Sequence, residues 1–203
     1  MKRIHAIAAI AVACAITPAQ AEPKQKQETV RVVGAVSAVD GDAIVVKQTK
    51  GGEAKVKVRP KAAIFGVVKA TLKDVTPGAF IGVGATPQAD GSQKAIRVMI
   101  FAEVQRGSGE GHRPWNRPNT TMTNATVDTT VAGVDGQVLT VKYKGGTQKI
   151  IIAPDAVIMA YVVGDRAELK PGANVAINGA VRMPDGSLET TRVNVGRGDV
   201  RPD

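Results

Sequence analysis

Within residues 108–115, Ser108, Glu110, His112, Arg113 and Trp115 bring together a hydroxyl, a carboxylate, an imidazole, a guanidinium and an indole, separated by glycine and proline. Histidine is the side chain whose charge ordinarily changes near neutral pH. That makes His112, with Glu110, the natural place for a metal contact. Arg113 and Trp115 suit a docking or ligand-binding loop, because long Gly/Pro-rich connections are commonly functional or mere tethers and an indole is costly to leave in water. An ordinary zinc site takes three or four Cys, His or carboxylate ligands, and this run falls short of that set. Catalysis by Ser108 would need an oriented base and an oxyanion hole. The chain has no nucleophile elbow, phosphate loop or dinucleotide fingerprint. We read it as non-catalytic and without a cofactor. A cell-envelope hydrolase is a third alternative, because the separation of paired carboxylates is set by the fold.

Positive charge is the second chemical signal. Lys47, Lys50, Lys55, Lys57, Arg59 and Lys61 crowd one stretch, and Lys142, Lys144 and Lys149 echo them further on. On neighbouring strands, Lys47, Lys55, Lys57 and Arg59 with Lys142 and Lys149 would form a basic face for an anionic ligand. The alternative is that outward lysines keep the sheet soluble and discourage edge pairing. Nucleic acid is disfavoured, because single-strand binders stack bases on aromatic rings and only Phe65, Phe80, Phe101, Trp115, Tyr143 and Tyr161 are present. Asp40-Gly41-Asp42 is only the stub of a calcium loop and reads as a hairpin turn. Met99, Met122, Met159 and Met183 are scattered, as packing residues are.

Residues 1–21 have the form of a cleaved export signal, with Lys2 and Arg3 before an apolar core at 6–16 and Ala19-Gln20-Ala21 as the small-residue cleavage site. That core is well short of the roughly 20 residues needed to span a bilayer. A lipidated Cys14 is the competing reading, although Ala11-Val12-Ala13 before it lacks the usual leucine. Cleavage would place the protein in the periplasm or outside the cell. It would also remove the sole cysteine and His5, and lower the formal charge of +9 by the two cations Lys2 and Arg3, to +7. At 43% hydrophobic and 22% charged, the composition is that of a globular chain.

An internal duplication organises the remainder. Val39-Asp40-Gly41 recurs as Val134-Asp135-Gly136, Lys50-Gly51-Gly52 as Lys144-Gly145-Gly146, and Pro60 as Pro154. Pro77-Gly78-Ala79 recurs as Pro171-Gly172-Ala173, Asp90-Gly91-Ser92 as Asp185-Gly186-Ser187, and Arg97-Val98 as Arg192-Val193. A repeat of that length is one structural unit copied once. Period-two alternation, as in Val56 and Val58 between Lys55 and Lys57, marks half-buried strands. Strands are expected at 30–39, 43–49, 54–59, 80–86 and 93–101, and again at 139–143, 149–152, 175–181 and 188–195.

Three strands, a short connecting turn and two further strands is the order of an OB-type Greek-key barrel. The expected fold is all-β, with two tandem small OB-like barrels at 30–103 and 125–196. A flexible N-terminus at 22–29, a Gly/Pro-rich linker at 104–124 and a flexible tail at 197–203 complete the chain. One merged β-sandwich is the alternative. The apolar stretches 62–68 and 156–163 exceed the barrel scheme, and either add a sixth strand or link the copies.

The repeated VDG hairpin, lysine-rich third strand, PG stop and DGS hairpin resemble the exported bacterial modules grouped as domain of unknown function 5666. The run from Gly109 to Trp115 and Met122-Thr123-Asn124-Ala125-Thr126 are similar to those of periplasmic proteins labelled metal transporter permeases. The resemblance implies export and tandem β modules but no activity. No stretch after residue 21 has the length of a membrane helix, so the chain itself cannot be a helical permease. The expected function is a periplasmic binding or scaffold protein for an anionic envelope component or a protein partner. A metal-binding accessory role centred on His112 is the alternative.

Overall fold

A computed structural model describes residues 28–133 and 136–202; the expected signal at 1–21, with His5 and Cys14, and Val134-Asp135 of the second VDG turn lie outside the described residues. The first repeat forms β1 (Thr29–Asp40), β2 (Ala43–Gln48), β3 (Glu53–Lys69), β4 (Phe80–Pro87) and β5 (Gln93–Ile100). β6 (Gly111–Pro114) lies in the connection. The second repeat forms β7 (Thr121–Gly133), β8 (Gly136–Tyr143), β9 (Gly146–Ile152), β10 (Val157–Val163), β11 (Asn174–Arg182) and β12 (Leu188–Gly196). The only helical turns among the described residues are three short 3-10 segments, at Leu72–Asp74, Glu103–Gln105 and Arg166–Glu168. None of the described helices is long and apolar enough to cross a membrane.

Alternation dictates which side chains turn inward. Ala54, Val56 and Val58 of β3 are buried while Lys55, Lys57 and Arg59 face water, and Gly51 and Gly52, at φ 93° and 76°, make the turn that returns β2 into it. β1 pairs with β2, β2 with β3, β3 with β12, β12 with β11, and β11 with β1, closing a five-stranded barrel. Its interior holds Val32, Val46, Val56, Ile177 and Val193. Each such side chain contributes about 1.5–3 kcal/mol when fully buried. A matching ring runs β4–β5–β9–β8–β7 and back to β4, with β5 and β9 meeting over Gln93↔Ile150 and Lys94↔Ile151. It encloses Ile81, Val98, Leu139, Val141 and Ile150.

Each ring is built from both repeats. The first takes three strands from repeat one and the final hairpin from repeat two, and the second does the reverse. The expected arrangement, in which 30–103 and 125–196 each close a barrel in tandem, is therefore replaced by an exchange of hairpins. Two separate apolar interiors also distinguish it from the single core of a merged sandwich.

The exchange is twofold-symmetric where the halves meet. The apolar stretches that exceeded the barrel scheme pair with each other, Phe65↔Val163, Val67↔Tyr161 and Lys69↔Met159 between β3 and β10. Adding the 94-residue offset of Pro60 and Pro154 turns Phe65 into 159 and Lys69 into 163, so the register maps onto itself about Val67 and Tyr161. The β12·β3 pairs Leu188↔Val56 and Arg192↔Ala63 likewise have counterparts in Gln93↔Ile150 and Arg97↔Val157. This is the self-complementary contact of a symmetric homodimer, made within one chain.

Pro60 interrupts β3 without ending it. Between Val58↔Thr190 and Ala63↔Arg192 the register slips, and the proline, which has no N–H to offer a ladder, sits in that bulge. Arg166 of the second repeat donates to the Val58 and Arg59 carbonyls at 3.0 and 3.1 Å, satisfying acceptors that the bulge leaves without a strand partner.

Two expectations about connections are corrected. The linker at 104–124 is not a bare tether, since β6 pairs with β7 from Gly111↔Asn124 to Pro114↔Thr121. The tail beginning at 197 is also held. Arg197 donates to the Glu168 carboxylate, Lys69 to Asp199 at 2.7 Å, and Val200 is buried.

Candidate anion-binding cleft

The lysine strip lies on outward positions of β2 and β3, as the alternation requires, but carboxylates offset it. Lys55 reaches Asp40 at 2.7 Å, and Lys57 and Arg59 share Glu189 at 3.4 and 3.0 Å. Lys47 stands opposite Glu53 in the β2–β3 register. In the second repeat Lys142 meets Asp128 at 2.8 Å, and Lys149 lies close enough to Asp90 to help depress its carboxyl, after the hydrogen bonds from Ser92. A hollow of about 730 Å³ at this end of the first barrel is lined by Lys55, Lys57 and Arg182, but also by Asp40, Asp42 and Glu53. Arg182 pairs with Glu28. The strip is therefore of mixed sign.

The linker residues separate into two groups. His112 shares a hydrogen bond of 2.8 Å between its Nδ1 and the Thr123 hydroxyl, and its ring stacks on Tyr143. Glu110 accepts from the Lys144 backbone N–H at 3.1 Å. These contacts fasten the β6 hairpin to the second ring, and no three His, Cys, Asp or Glu side chains converge among the described residues. Arg113 and Trp115 point elsewhere. The Trp115 ring packs on Gly84 of β4, where a Cβ would meet it at 2.6 Å. Arg117 lies over the indole, 5.7 Å from its centroid.

Beside Trp115 a cleft opens where the two rings join. One depression of about 390 Å³ is lined by Arg31, Arg97, Arg113, Trp115, Met99 and Asn116, and a second of the same size by Arg192, Thr191 and Ser108. Phe101, Asn124, Tyr161 and Asn178 belong to both. Four guanidiniums thus border one continuous hollow whose lining includes no Asp or Glu.

The repeat positions two of these cations. Arg97 and Arg192 are twofold mates on β5 and β12, opposite Val157 and Ala63. The pseudo-symmetry breaks around them. Arg192 lies between Phe65 and Tyr161, 4.8 and 5.1 Å from their centroids, whereas the mates of those two rings are Met159 and Val67. Cation–π contact stabilises a guanidinium in such a position. Burial still pulls the Arg192 pKa down, because the charged form is the one that loses its water. Tyr161 is driven the other way by burial, which outweighs the opposing fields of Arg192, Arg97 and Arg31.

Arg31 donates to the Asn178 Oδ1 at 3.1 Å and Arg113 to the Gly109 carbonyl at 2.8 Å. No carboxylate among the described residues forms an ion pair with Arg31, Arg113 or Arg192. Asn124 donates to the Ser108 carbonyl at 3.0 Å, yet its buried Oδ1 has no hydrogen-bond partner.

Of the residues singled out from sequence, the cleft brings together Arg113 and Trp115 only. Arg31, Arg97, Arg192, Tyr161 and Asn124 were missed. The repeated Arg-Val pair at 97 and 192 was the available signal, since an arginine kept in both copies on a half-buried strand is unusual for a purely structural position. No family model matches this chain, and no curated protein or solved structure matches it.

Proposed function

We propose that this is a periplasmic, non-catalytic binding protein that holds an anionic envelope component in the arginine-bordered cleft. One observation carries the reading: Arg31, Arg97, Arg113 and Arg192 converge on a hollow whose lining has no acid. Guanidiniums are suited to carboxylate and phosphate because their planar fork can donate two parallel hydrogen bonds. The apolar walls lower the local dielectric, so each charge acts more strongly than on an open strand face. The lysine strip, by contrast, already has acidic partners for its central cations.

Trp115 is the sole tryptophan and borders the cleft, so its fluorescence reports occupancy. Titration with inorganic polyphosphate should change that emission, with affinity falling as salt rises because exposed charges are screened. Arg97→Gln and Arg113→Gln together should abolish the response. Replacing Lys55, Lys57 and Arg59 by Gln should leave it intact; the opposite pattern moves the site to the strip and overturns the cleft. Cell fractionation with and without residues 1–21 tests the location, and cytoplasmic retention of the full chain would refute it.

A further inference from the structure

Resting on the cleft reading above, we propose that the ligand is an acidic oligosaccharide, a short chain of carboxylate-bearing sugars lying across both depressions. Extent is the first argument. Cations stand on both sides of Tyr161, three in one depression and Arg192 in the next, and the two hollows share Phe101, Asn124, Tyr161 and Asn178. A point anion fills one of these positions. An extended ligand with repeated charges fills them together.

The remaining surface decides the chemistry of that ligand. A chain of phosphates presents acceptors and needs only donors opposite it. Here the guanidiniums alternate with neutral amides, each carrying an acceptor as well as donors. Asn116 and Asn178 are exposed in the cleft, and the buried Oδ1 of Asn124 has no donor in the protein. Such a surface suits hydroxyl groups, which give and accept hydrogen bonds at once. Trp115, Phe101 and Met99 supply apolar wall for the C–H faces of sugar rings. With no acid in the lining, nothing repels the carboxylates.

The test is calorimetry on the signal-free chain with tetragalacturonate, the same sugar with its carboxylates reduced to alcohols, polyphosphate of matched charge, and tetra-aspartate. We expect tetragalacturonate to bind at least about tenfold tighter than each of the other three at equal ionic strength. Arg97→Gln and Arg113→Gln should each weaken it about tenfold, the loss of one charge-assisted contact. Asn116→Ala and Asn178→Ala, checked for folding by thermal scan, should narrow the gap between sugar and polyphosphate. If polyphosphate or the peptide binds as tightly, with the same arginine dependence, the sugar assignment is overturned and the anion cleft stands. Sugar binding indifferent to the arginines overturns the assignment to this cleft. If no probe binds, both readings fall.

Discussion

Gly84 and Trp115 are coupled through the absence of one carbon atom. The indole occupies the space of a Cβ on β4, so the linker can lie against the sheet only while residue 84 is glycine. Gly84→Ala should displace the ring, shift its emission to the red and cost about 1–3 kcal/mol in thermal or denaturant unfolding, as overpacking generally does. An unshifted spectrum would mean that the ring is anchored by something other than this contact. Sequence reasoning saw the cost of an exposed indole and so placed Trp115 near a surface of interest, but it could not see Gly84 as the seat. It also set Arg97 and Arg192 side by side as repeat mates without reading a site in them. What distinguishes them is the company of Phe65 and Tyr161 on one side and of Met159 and Val67 on the other, and those neighbours come from β3 and β10.

At the level of strands, order and inward faces were legible, because burial imposes a period of two and Asp-Gly or Gly-Gly marks the turns. Which strand pairs with which was not. Both repeats present the same inward pattern, so a hairpin from either copy satisfies the three-strand meander equally, and periodicity cannot choose between them. The end of β3 was misjudged for a related reason: Pro60 reads as a stop, yet a bulge accommodates it and Arg166 supplies the missing donors. Ion pairs between elements add a pH dependence. Glu189 on β12 is held below the ordinary carboxylate range by Arg59 and Lys57 of β3, Asp199 by Lys69, and Glu168 by Arg197. Because each folded pKa is lowered, the stabilisation is complete above the unfolded pKa and is lost as pH falls through the folded one. Thermal stability should therefore drop on acidification below about pH 4, and Glu189→Gln should flatten that acid limb. An acid limb of unchanged steepness in the variant would remove Glu189 from the account.

For the whole molecule, the exchange makes connection and association separate questions. Neither repeat can close a ring by itself: residues 28–101 supply β1–β3 to one and β4–β5 to the other, and the second repeat supplies the complements. The halves are interlocked through two apolar interiors and the β3–β10 pairing, whereas the covalent link between them passes through exposed Gly107, Ser108 and Gly109. Cutting the chain there, at an inserted protease site, should leave a particle of undiminished mass on gel filtration. Strong denaturant should then resolve it into two fragments. Removing denaturant from each fragment alone should give no cooperative unfolding transition, and mixing them should restore it, more slowly and with a dependence on concentration, because the tether no longer supplies a high effective concentration. If the nicked protein instead separates under native conditions into two folded pieces, each repeat closes its own barrel and the exchanged architecture is wrong. The cleft is subject to the same experiment: Arg31 and Arg97 belong to one fragment and Arg113 and Arg192 to the other, so any anion-dependent Trp115 response should vanish on separation and return on mixing.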